Sequence, residues 1–288
     1  MLALFLNTSK GFFVLDCLVK ANLSQYITGV VSYNDNKTND NSYTLIKELC
    51  FANQISFFEK NGEYDFKDNY KLAIGWQYLI NDLNKLFIIH DSLLPKYRGF
   101  APTVNALING EKKIGASLIQ SSKEYDKGDI YRQEEILLKY PIKILDVINL
   151  LEVAYSKLTI FFLKQIISCK PIFTTPQLEN DATYSLWRNN DDYFINWCWS
   201  ASKIKRFVDA VGKPFDGAKT TLKNKIYIIE EVEVLEDVKI ENRVCGKQIF
   251  LIEKCPVIVC GKGLIKLKIV KNEKGSLMLF KQFRNHFK

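Results

Sequence analysis

Short apolar runs alternate with amphipathic segments along the first 170 residues of the chain. The runs of strand length begin at Leu2, Ile27, Tyr70, Lys85 and Gly115. The segments between them space their apolar residues as helices do. This alternation predicts an α/β domain at residues 1–170, with a mostly parallel sheet and helices on both faces. An amphipathic run from Ile144 predicts the helix that closes the domain.

The pattern changes after this domain. Residues 171–198 contain two prolines and a polar run, which is typical of a linker. A Ser-x-x-Lys turn begins a short predicted helix from Ser200 to Val211. Four or five strand-like runs follow and predict a small β barrel or sandwich of about 70 residues. We therefore expect a β domain with one leading helix at residues 199–288.

Composition agrees with a two-domain globular protein. A chain of 288 residues has the length of about two domains. Its hydrophobic fraction of 47% and charged fraction of 25% exclude a disordered chain, a fibre and a small disulfide-stapled scaffold.

The net charge of +8 is concentrated near the C-terminus. Residues 241–288 hold eleven Lys or Arg against three Asp or Glu, whereas residues 1–240 are neutral. A basic region of this kind can bind nucleic acid or an anionic ligand, or it can have no ligand at all. Lys266 and Lys268 alternate with apolar residues, as on the solvated face of a strand. The charge is therefore weak evidence about a partner.

The cysteine pattern and the apolar segments bear on location. Seven scattered cysteines without a CxxC pair disfavour a disulfide framework and a metal site, so we expect reduced thiols and a cytoplasmic protein. The apolar N-terminus lacks the basic region and cleavage site of a signal peptide. The stretch Ile144–Ser168 contains four charged residues at helical spacing, so we expect no membrane span.

The chain has two histidines, His90 and His286. His90 follows the apolar run Lys85–Ile89 and precedes a loop with Pro95 and Gly99. In an open parallel sheet, ligands bind beyond the carboxyl ends of the strands. His90 is therefore a candidate catalytic residue. The alternative is a structural histidine whose hydrogen bonds are made within the protein at the end of a strand.

A longer motif surrounds His90. Its parts are HDSLLPKYRG at His90–Gly99, AP at Ala101–Pro102, NGE at Asn109–Glu111 and DKGDI at Asp126–Ile130. In residues and spacing it resembles the core signature of the formyltransferase family that uses 10-formyltetrahydrofolate. A weaker resemblance continues at Ile195–Trp197 and Phe215–Ala218. The resemblance implies a Rossmann-like catalytic domain, a linker across its active-site crevice, a C-terminal β-barrel (OB-like) domain, 10-formyltetrahydrofolate as co-substrate and no metal.

The resemblance assigns catalysis to His90 and Asp126. Formyl transfer to an amine moves protons from the incoming to the leaving nitrogen, which a histidine oriented by a carboxylate can do. Asp126 could instead be a turn residue before Gly128. Where the family usually has an Asn that polarises the formyl oxygen, this chain has Ile88. Loss of such a donor costs about 10²–10³ in rate, so a protonated His90, a backbone N–H or a water must replace it, or the enzyme is slow or inactive.

Eleven positions resemble the family's folate contacts. They are Ser92, Leu93, Leu94, Pro95, Ser122, Lys123, Glu124, Tyr125, Trp76, Tyr78 and Leu79. The first eight lie in stretches that hold the folate largely through backbone groups, and the last three line its pterin pocket. Core packing is the alternative for Trp76 and Tyr78. The chain has no G-x-G-x-x-G motif, so a nicotinamide cofactor is not supported.

Five further residues are candidates for holding the acceptor. They are Lys96, Arg98, Tyr184, Trp187 and Arg188. Many relatives carry Arg where this chain has Phe100, which leaves the first two as candidate anion contacts, with solvated loop charge as the alternative. The other three lie in the linker and are candidates for stacking on a base and holding a diphosphate, with packing between domains as the alternative.

The resemblance leaves two acceptors in competition: a nucleotide-linked amino sugar (UDP or dTDP) and methionyl-tRNA. Enzymes that act on tRNA have a basic loop after the second strand, but Ser32–Asn41 holds one Lys against two Asp and would repel phosphate. We therefore expect a sugar N-formyltransferase of bacterial surface-glycan (O-antigen) synthesis and no nucleic-acid partner. A non-catalytic relative that binds folate, sugar nucleotide or RNA is a third hypothesis, which His90 and Asp126 disfavour. A homodimer is left open.

Overall fold

The computed structural model describes residues 1–35, 41–280 and 283–288. In this part of the chain the helices are α1 (Thr8–Lys20), α2 (Ser42–Ala52), α3 (Pro102–Asn109), α4 (Ile144–Ile167) and α5 (Ala201–Ala210). The first strands are β1 (Leu2–Leu6), β2 (Ile27–Ser32), β3 (Phe57–Glu59), β4 (Tyr70–Ile74), β5 (Leu86–His90), β6 (Arg98–Gly99), β7 (Lys113–Gln120) and β8 (Ile130–Leu137). The later strands are β9 (Tyr184–Ser185), β10 (Ala218–Leu222), β11 (Lys225–Leu235), β12 (Gln248–Ile252), β13 (Cys255–Val259) and β14 (Leu264–Asn272). None of these described helices is long and apolar enough to cross a membrane.

The chain forms two units. The first unit consists of Met1–Pro102, Lys113–Leu137 and Ile148–Ser185. The second unit consists of Thr103–Lys112, Leu138–Val147 and Leu186–Lys288.

A seven-stranded sheet in the order β3-β2-β1-β4-β5-β7-β8 forms the centre of the first unit. Strands β1 to β5 run parallel, and β7 and β8 pair antiparallel. All five apolar residues of β1 are buried, as in a parallel strand that is covered on both faces. The predicted α/β fold with a mostly parallel sheet is confirmed. Because β4 and β5 are parallel neighbours, their carboxyl ends lie side by side.

One face of this sheet is covered by aromatic side chains and not by the helices that the alternation predicts. Phe5 of β1 and Phe66 belong to a buried cluster, and Phe58, Tyr64 and Trp76 pack against it. The Phe5 ring lies edge-on to the Trp76 ring at 5.3 Å. The covering segments hold no helix in the described residues because Gly, Asn and Asp recur in them and favour turns.

The second unit contains α5 and a five-stranded antiparallel sheet in the order β10-β11-β14-β13-β12. Helix α5 begins where the sequence predicts it, since the Ser200 hydroxyl accepts a hydrogen bond from the Lys203 amide at 3.3 Å. The prediction of a solvated Lys266 is wrong. This residue is 8% exposed, and its ammonium lies 2.5 Å from the Glu253 carboxylate, whereas Lys268 is exposed as predicted.

Candidate active site

His90 is the last residue of β5, and each nitrogen of its imidazole has a polar neighbour. Nε2 lies 2.9 Å from the carbonyl oxygen of Tyr97. Since a carbonyl oxygen only accepts hydrogen bonds, Nε2 carries the proton in this contact. Nδ1 lies 3.5 Å from Oδ1 of Asp126. In the neutral ring, Nδ1 is therefore the basic nitrogen, and it faces a carboxylate.

Asp126 is both a turn residue and a neighbour of His90, the two interpretations that the sequence left open. Its backbone is in the left-handed region, with φ of 57°, as a turn residue before Gly128 can be. Its side chain nevertheless points to the site: Oδ2 accepts the Gly99 amide at 2.8 Å, and Oδ1 faces His90. One oxygen thus fixes the carboxylate while the other is directed at the imidazole.

The loop Ser92–Pro95 is fixed by polar side chains from β7 and β8. The Ser117 hydroxyl donates to the Ser92 carbonyl at 2.6 Å and accepts the Leu94 amide at 3.0 Å. Gln133 donates to the Leu94 carbonyl at 2.9 Å and to the Ser117 hydroxyl at 2.7 Å. Ser117 and Gln133 were missed in the sequence, although a hydroxyl inside the apolar run GASLIQ was a usable signal.

Ile88 cannot replace the family's Asn as a donor. Its side chain packs against the apolar cluster on the aromatic face of the sheet, together with Trp76, Ile80 and Leu83. A donor to a substrate oxygen must therefore come from another group. The Nε2–H of His90 is not available for this in the structure, because the Tyr97 carbonyl accepts it.

Trp76, Tyr78 and Leu79 line a cavity of about 750 Å³ in the first unit. The Trp76 ring packs edge-on against Phe5 and is a core contact as well as a wall. Tyr78 is half exposed, and the Lys60 ammonium lies 3.3 Å from the centre of its ring. A volume of this size is within the usual range of small-molecule sites, and two of the lining side chains are the aromatic Trp76 and Tyr78. The other eight predicted folate contacts are not among the described residues that line this cavity.

The second predicted folate stretch is an exposed turn. The Ser122 hydroxyl donates to the Glu124 carbonyl at 2.7 Å, and Glu124 pairs with Lys127 at 2.6 Å. Lys123 and Tyr125 are exposed. These side chains are therefore accessible next to Asp126.

Arg98 is buried, whereas the sequence predicted either a substrate contact or a solvated loop residue. It is 1% exposed, and two of its nitrogens contact the two carboxylate oxygens of Glu179 at 2.9 Å each. It also donates to Oε1 of Gln177 at 3.0 and 2.8 Å. The hydrogen bond with Glu179 raises the pKa of Arg98 and lowers that of Glu179. The guanidinium is neutralised within the protein, whereas Lys96 is exposed.

Gln177 connects Arg98 to the turn that carries Asp126. Its side-chain amide donates to the carbonyl oxygens of Asp126 and Gly128, at 2.7 Å each. Gln177 was missed in the sequence, where it is one polar residue of the linker. Arg98 and Gln177 together hold the backbone of Asp126 in place.

We expect Gln177→Leu to destabilise the protein by about 1–3 kcal/mol, because two backbone carbonyls lose their donor and Arg98 loses one of its acceptors. Urea unfolding measures this loss. The same substitution at the exposed Gln25 should be within about 0.5 kcal/mol of wild type. Equal unfolding midpoints for the two variants would contradict the role of Gln177.

The three linker candidates are divided between the units. Tyr184 belongs to the first unit, is exposed, and its hydroxyl lies 3.3 Å from Nη1 of Arg98. Trp187 and Arg188 belong to the second unit. Arg188 contacts Asn105 at 3.3 Å and the Asp192 carbonyl, whereas Trp187 is exposed. Trp187 and Tyr184 are therefore the accessible aromatic residues of this set.

A further polar cluster next to His90 was missed. Asp91 forms an ion pair with Lys10 and accepts the Tyr155 hydroxyl at 2.6 Å. Burial alone would raise the pKa of the Asp91 carboxyl, but Lys10 and Tyr155 outweigh it and hold that pKa below its ordinary value. Burial and the Asp91 carboxylate raise the pKa of Tyr155 well above its ordinary value. Asp91 is therefore ionised, and Tyr155 is a neutral donor.

Two family profiles match the chain. Residues 68–143 match the formyl transferase family, and residues 189–288 match the formyl transferase C-terminal domain. A methionyl-tRNA formyltransferase of Caldicellulosiruptor saccharolyticus is 30% identical over 200 residues, which cover 69% of this chain and 63% of the relative. The matched region thus spans less than two thirds of that relative's length.

Solved structures share the fold at lower identity. The N-formyltransferase of Helicobacter canadensis, in complex with folinic acid and dTDP-3-aminofucose, superposes with a TM-score of 0.72. It is 17% identical, over 93% of this chain and 98% of the other. WlaRD, a sugar 3N-formyl transferase in the presence of dTDP and 5-N-formyl-THF, has a TM-score of 0.63 and 17% identity, over 94% of this chain and 97% of the other. Because the profiles match on both sides of the linker and the fold agrees over nearly the whole chain, the resemblance seen at His90–Ile130 is confirmed, and the chain belongs to the formyltransferase family.

Proposed function

We propose that this chain is an N-formyltransferase that moves a formyl group from 10-formyltetrahydrofolate to the amine of a nucleotide-diphosphate-linked amino sugar. The observation that carries the proposal is the pairing of His90, which opens the HDSLLPKYRG motif at the carboxyl end of β5, with Asp126 of the DKGDI motif. Ligands of open α/β sheets bind at such strand ends.

The geometry supports a role for each residue of the pair. 10-Formyltetrahydrofolate supplies the formyl group that the amine acceptor takes up. The neutral imidazole of His90, with its proton on Nε2, accepts the proton of the attacking amine at Nδ1. Asp126 Oδ1, 3.5 Å away, then stabilises the imidazolium, and His90 returns the proton to the leaving nitrogen. The Gly99 amide keeps the carboxylate directed at the ring.

The charges of the second unit support a sugar acceptor over tRNA. Three lysines of β14 are already paired with carboxylates: Lys266 with Glu253, Lys268 with Glu231 and Lys271 with Glu230. They therefore contribute less to binding phosphates than the net charge suggests. The loop Ser32–Asn41 holds one Lys and two Asp; its residues 36–40 lie outside the described part of the chain.

The solved structures in complex with dTDP-3-aminofucose and in the presence of dTDP also favour the sugar acceptor. In this proposal the enzyme acts in the cytoplasm, in bacterial surface-glycan synthesis, and the exposed Lys96 and Tyr184 of the first unit contact the nucleotide sugar. Methionyl-tRNA is the second candidate, because the relative at 30% identity is named for that reaction.

One assay separates the candidates. The protein is incubated with 10-formyltetrahydrofolate and with dTDP-linked amino sugars, UDP-linked amino sugars or methionyl-tRNA in parallel, and tetrahydrofolate release is followed. We expect tetrahydrofolate release with a sugar nucleotide. Raising the salt concentration from 50 to 200 mM should have little effect on the affinity for that acceptor. An enzyme that binds tRNA through six to ten phosphate contacts would instead lose about 10³–10⁵ in affinity. Release with methionyl-tRNA alone would overturn the sugar assignment. Release in no arm, with folate binding intact, would support a non-catalytic binding protein.

A further inference from the structure

Three side chains of the first unit meet next to the end of β5; we call Lys10, Asp91 and Tyr155 the anchor cluster. Tyr155 of α4 is 2% exposed, and its hydroxyl lies 3.1 Å from the Ile89 carbonyl oxygen and 2.6 Å from Oδ1 of Asp91. Lys10 of α1 pairs with the other oxygen of Asp91, and its ammonium lies 5.5 Å from the centre of the Tyr155 ring. One hydroxyl thus contacts both chain neighbours of His90.

The strand end that carries His90 is held by the sheet on one side only. The parallel register with β4 ends at Ile88, opposite Ala73. On the other side, His90 still pairs with Ser117 of β7. The Ile89 carbonyl oxygen lies beyond the ladder with β4, and the Tyr155 hydroxyl lies 3.1 Å from it. The single proton of that hydroxyl is directed at the closer Asp91 Oδ1. Removal of the hydroxyl would therefore take away the donor to Asp91 and the polar neighbour of the Ile89 carbonyl, which lie on the two sides of His90 along the chain.

The cluster also balances the charge of one of the two carboxylates near the imidazole. Asp91 and Asp126 both carry charge close to His90, but Lys10 neutralises Asp91. Asp126 Oδ1, at 3.5 Å from Nδ1, therefore remains the carboxylate that stabilises a proton on that nitrogen.

We propose that Tyr155, Asp91 and Lys10 are positioning residues that fix the backbone on both sides of His90 and so maintain the alignment of Nδ1 with Asp126. The proposal rests on the proposed function, in which His90 moves the proton. Tyr155→Phe keeps the ring and removes both contacts of the hydroxyl. We expect kcat for formyl transfer to fall about tenfold or more, because one of the two contacts is to a charged group. KM for folate and for acceptor should stay within about twofold.

The two histidines of the chain allow a test that does not depend on turnover. Two imidazole signals are expected in a proton–carbon NMR spectrum, and His90→Ala identifies that of His90. In Tyr155→Phe and in Asp91→Asn, the His90 signal should shift while that of His286 stays. Tyr140→Phe is the matched control in the second unit, since it removes a hydroxyl that donates to the Glu111 carbonyl at 3.0 Å. It should change neither kcat nor the His90 signal.

An unchanged His90 signal and an unchanged kcat in both variants would overturn the proposal. Circular dichroism shows whether Tyr155→Phe is folded; if it is not, Asp91→Asn, which keeps the side-chain volume, decides. A wild-type protein that transfers formyl to no acceptor would refute the proposed function. The His90 signal still decides the positioning in that case, because it is measured without substrate.

Discussion

Replacing His90 with alanine should lower kcat for formyl transfer by about 10²–10⁴-fold, the usual contribution of a positioned general acid–base group. The reason is that Nδ1 of His90 is the basic nitrogen that faces Asp126. Ile88, two residues earlier on the same strand, is apolar and supplies no polar group in its place. The measurement is the steady-state rate of tetrahydrofolate release at saturating acceptor. Folate affinity, measured by titration, should change far less than kcat.

Asp126→Asn tests the same pair from the other side. The amide oxygen of Asn can still accept the Gly99 hydrogen bond that Oδ2 accepts in the wild type, so the turn is retained while the charge is lost. We expect kcat to fall about 10²-fold or more. A loss confined to KM would show that Asp126 acts in binding and not in proton transfer.

His286→Ala is the matched control for the histidine substitution. His286 is exposed and lies in the second unit, so its loss should leave kcat within about twofold of wild type. If His90→Ala and His286→Ala have the same rate, His90 is a structural histidine at a strand end, and the proposed chemistry fails.

The parts of the fold that could be predicted from the sequence are those encoded by neighbouring residues. The five apolar residues of β1 are buried together because a central parallel strand is covered on both faces. The position of His90 at the end of β5 follows from one apolar run and the loop after it. For the same reason the short helix α5 begins at its Ser200 cap, as predicted.

The contacts that complete the site could not be predicted, because they join distant residues. Arg98 is neutralised by Glu179, which is 81 positions away, so a loop cation that looked free is buried. Asp91 is 81 positions from Lys10 and 64 from Tyr155. A tyrosine in an amphipathic helix does not indicate its partner. The aromatic layer on the sheet was missed because turn-rich segments carry no periodic pattern.

Replacing Gly128 with alanine should destabilise the first unit by about 3 kcal/mol, near the upper end of the usual cost of overpacking. An added Cβ would lie 1.6 Å from the carbonyl oxygen of Gln120 and 2.8 Å from its carbonyl carbon. Both are backbone atoms of β7, so no side chain can move aside. The turn itself must shift, although its Asp129 carbonyl accepts the Gln120 amide at 2.9 Å.

The shift should reach Asp126, two residues earlier, because Gln177 holds the carbonyls of Asp126 and Gly128 together. A displacement of about 1 Å can cost 10²-fold in rate, so we expect kcat to fall by about that factor in addition to the lost stability. Urea unfolding and tetrahydrofolate release measure the two effects. Gly212→Ala is the control, since its added Cβ would meet nothing closer than the Val208 carbonyl at 3.5 Å. If Gly128→Ala has the same unfolding midpoint and the same kcat as Gly212→Ala, the turn does not position Asp126. The carboxylate must then be held by the Gly99 amide alone.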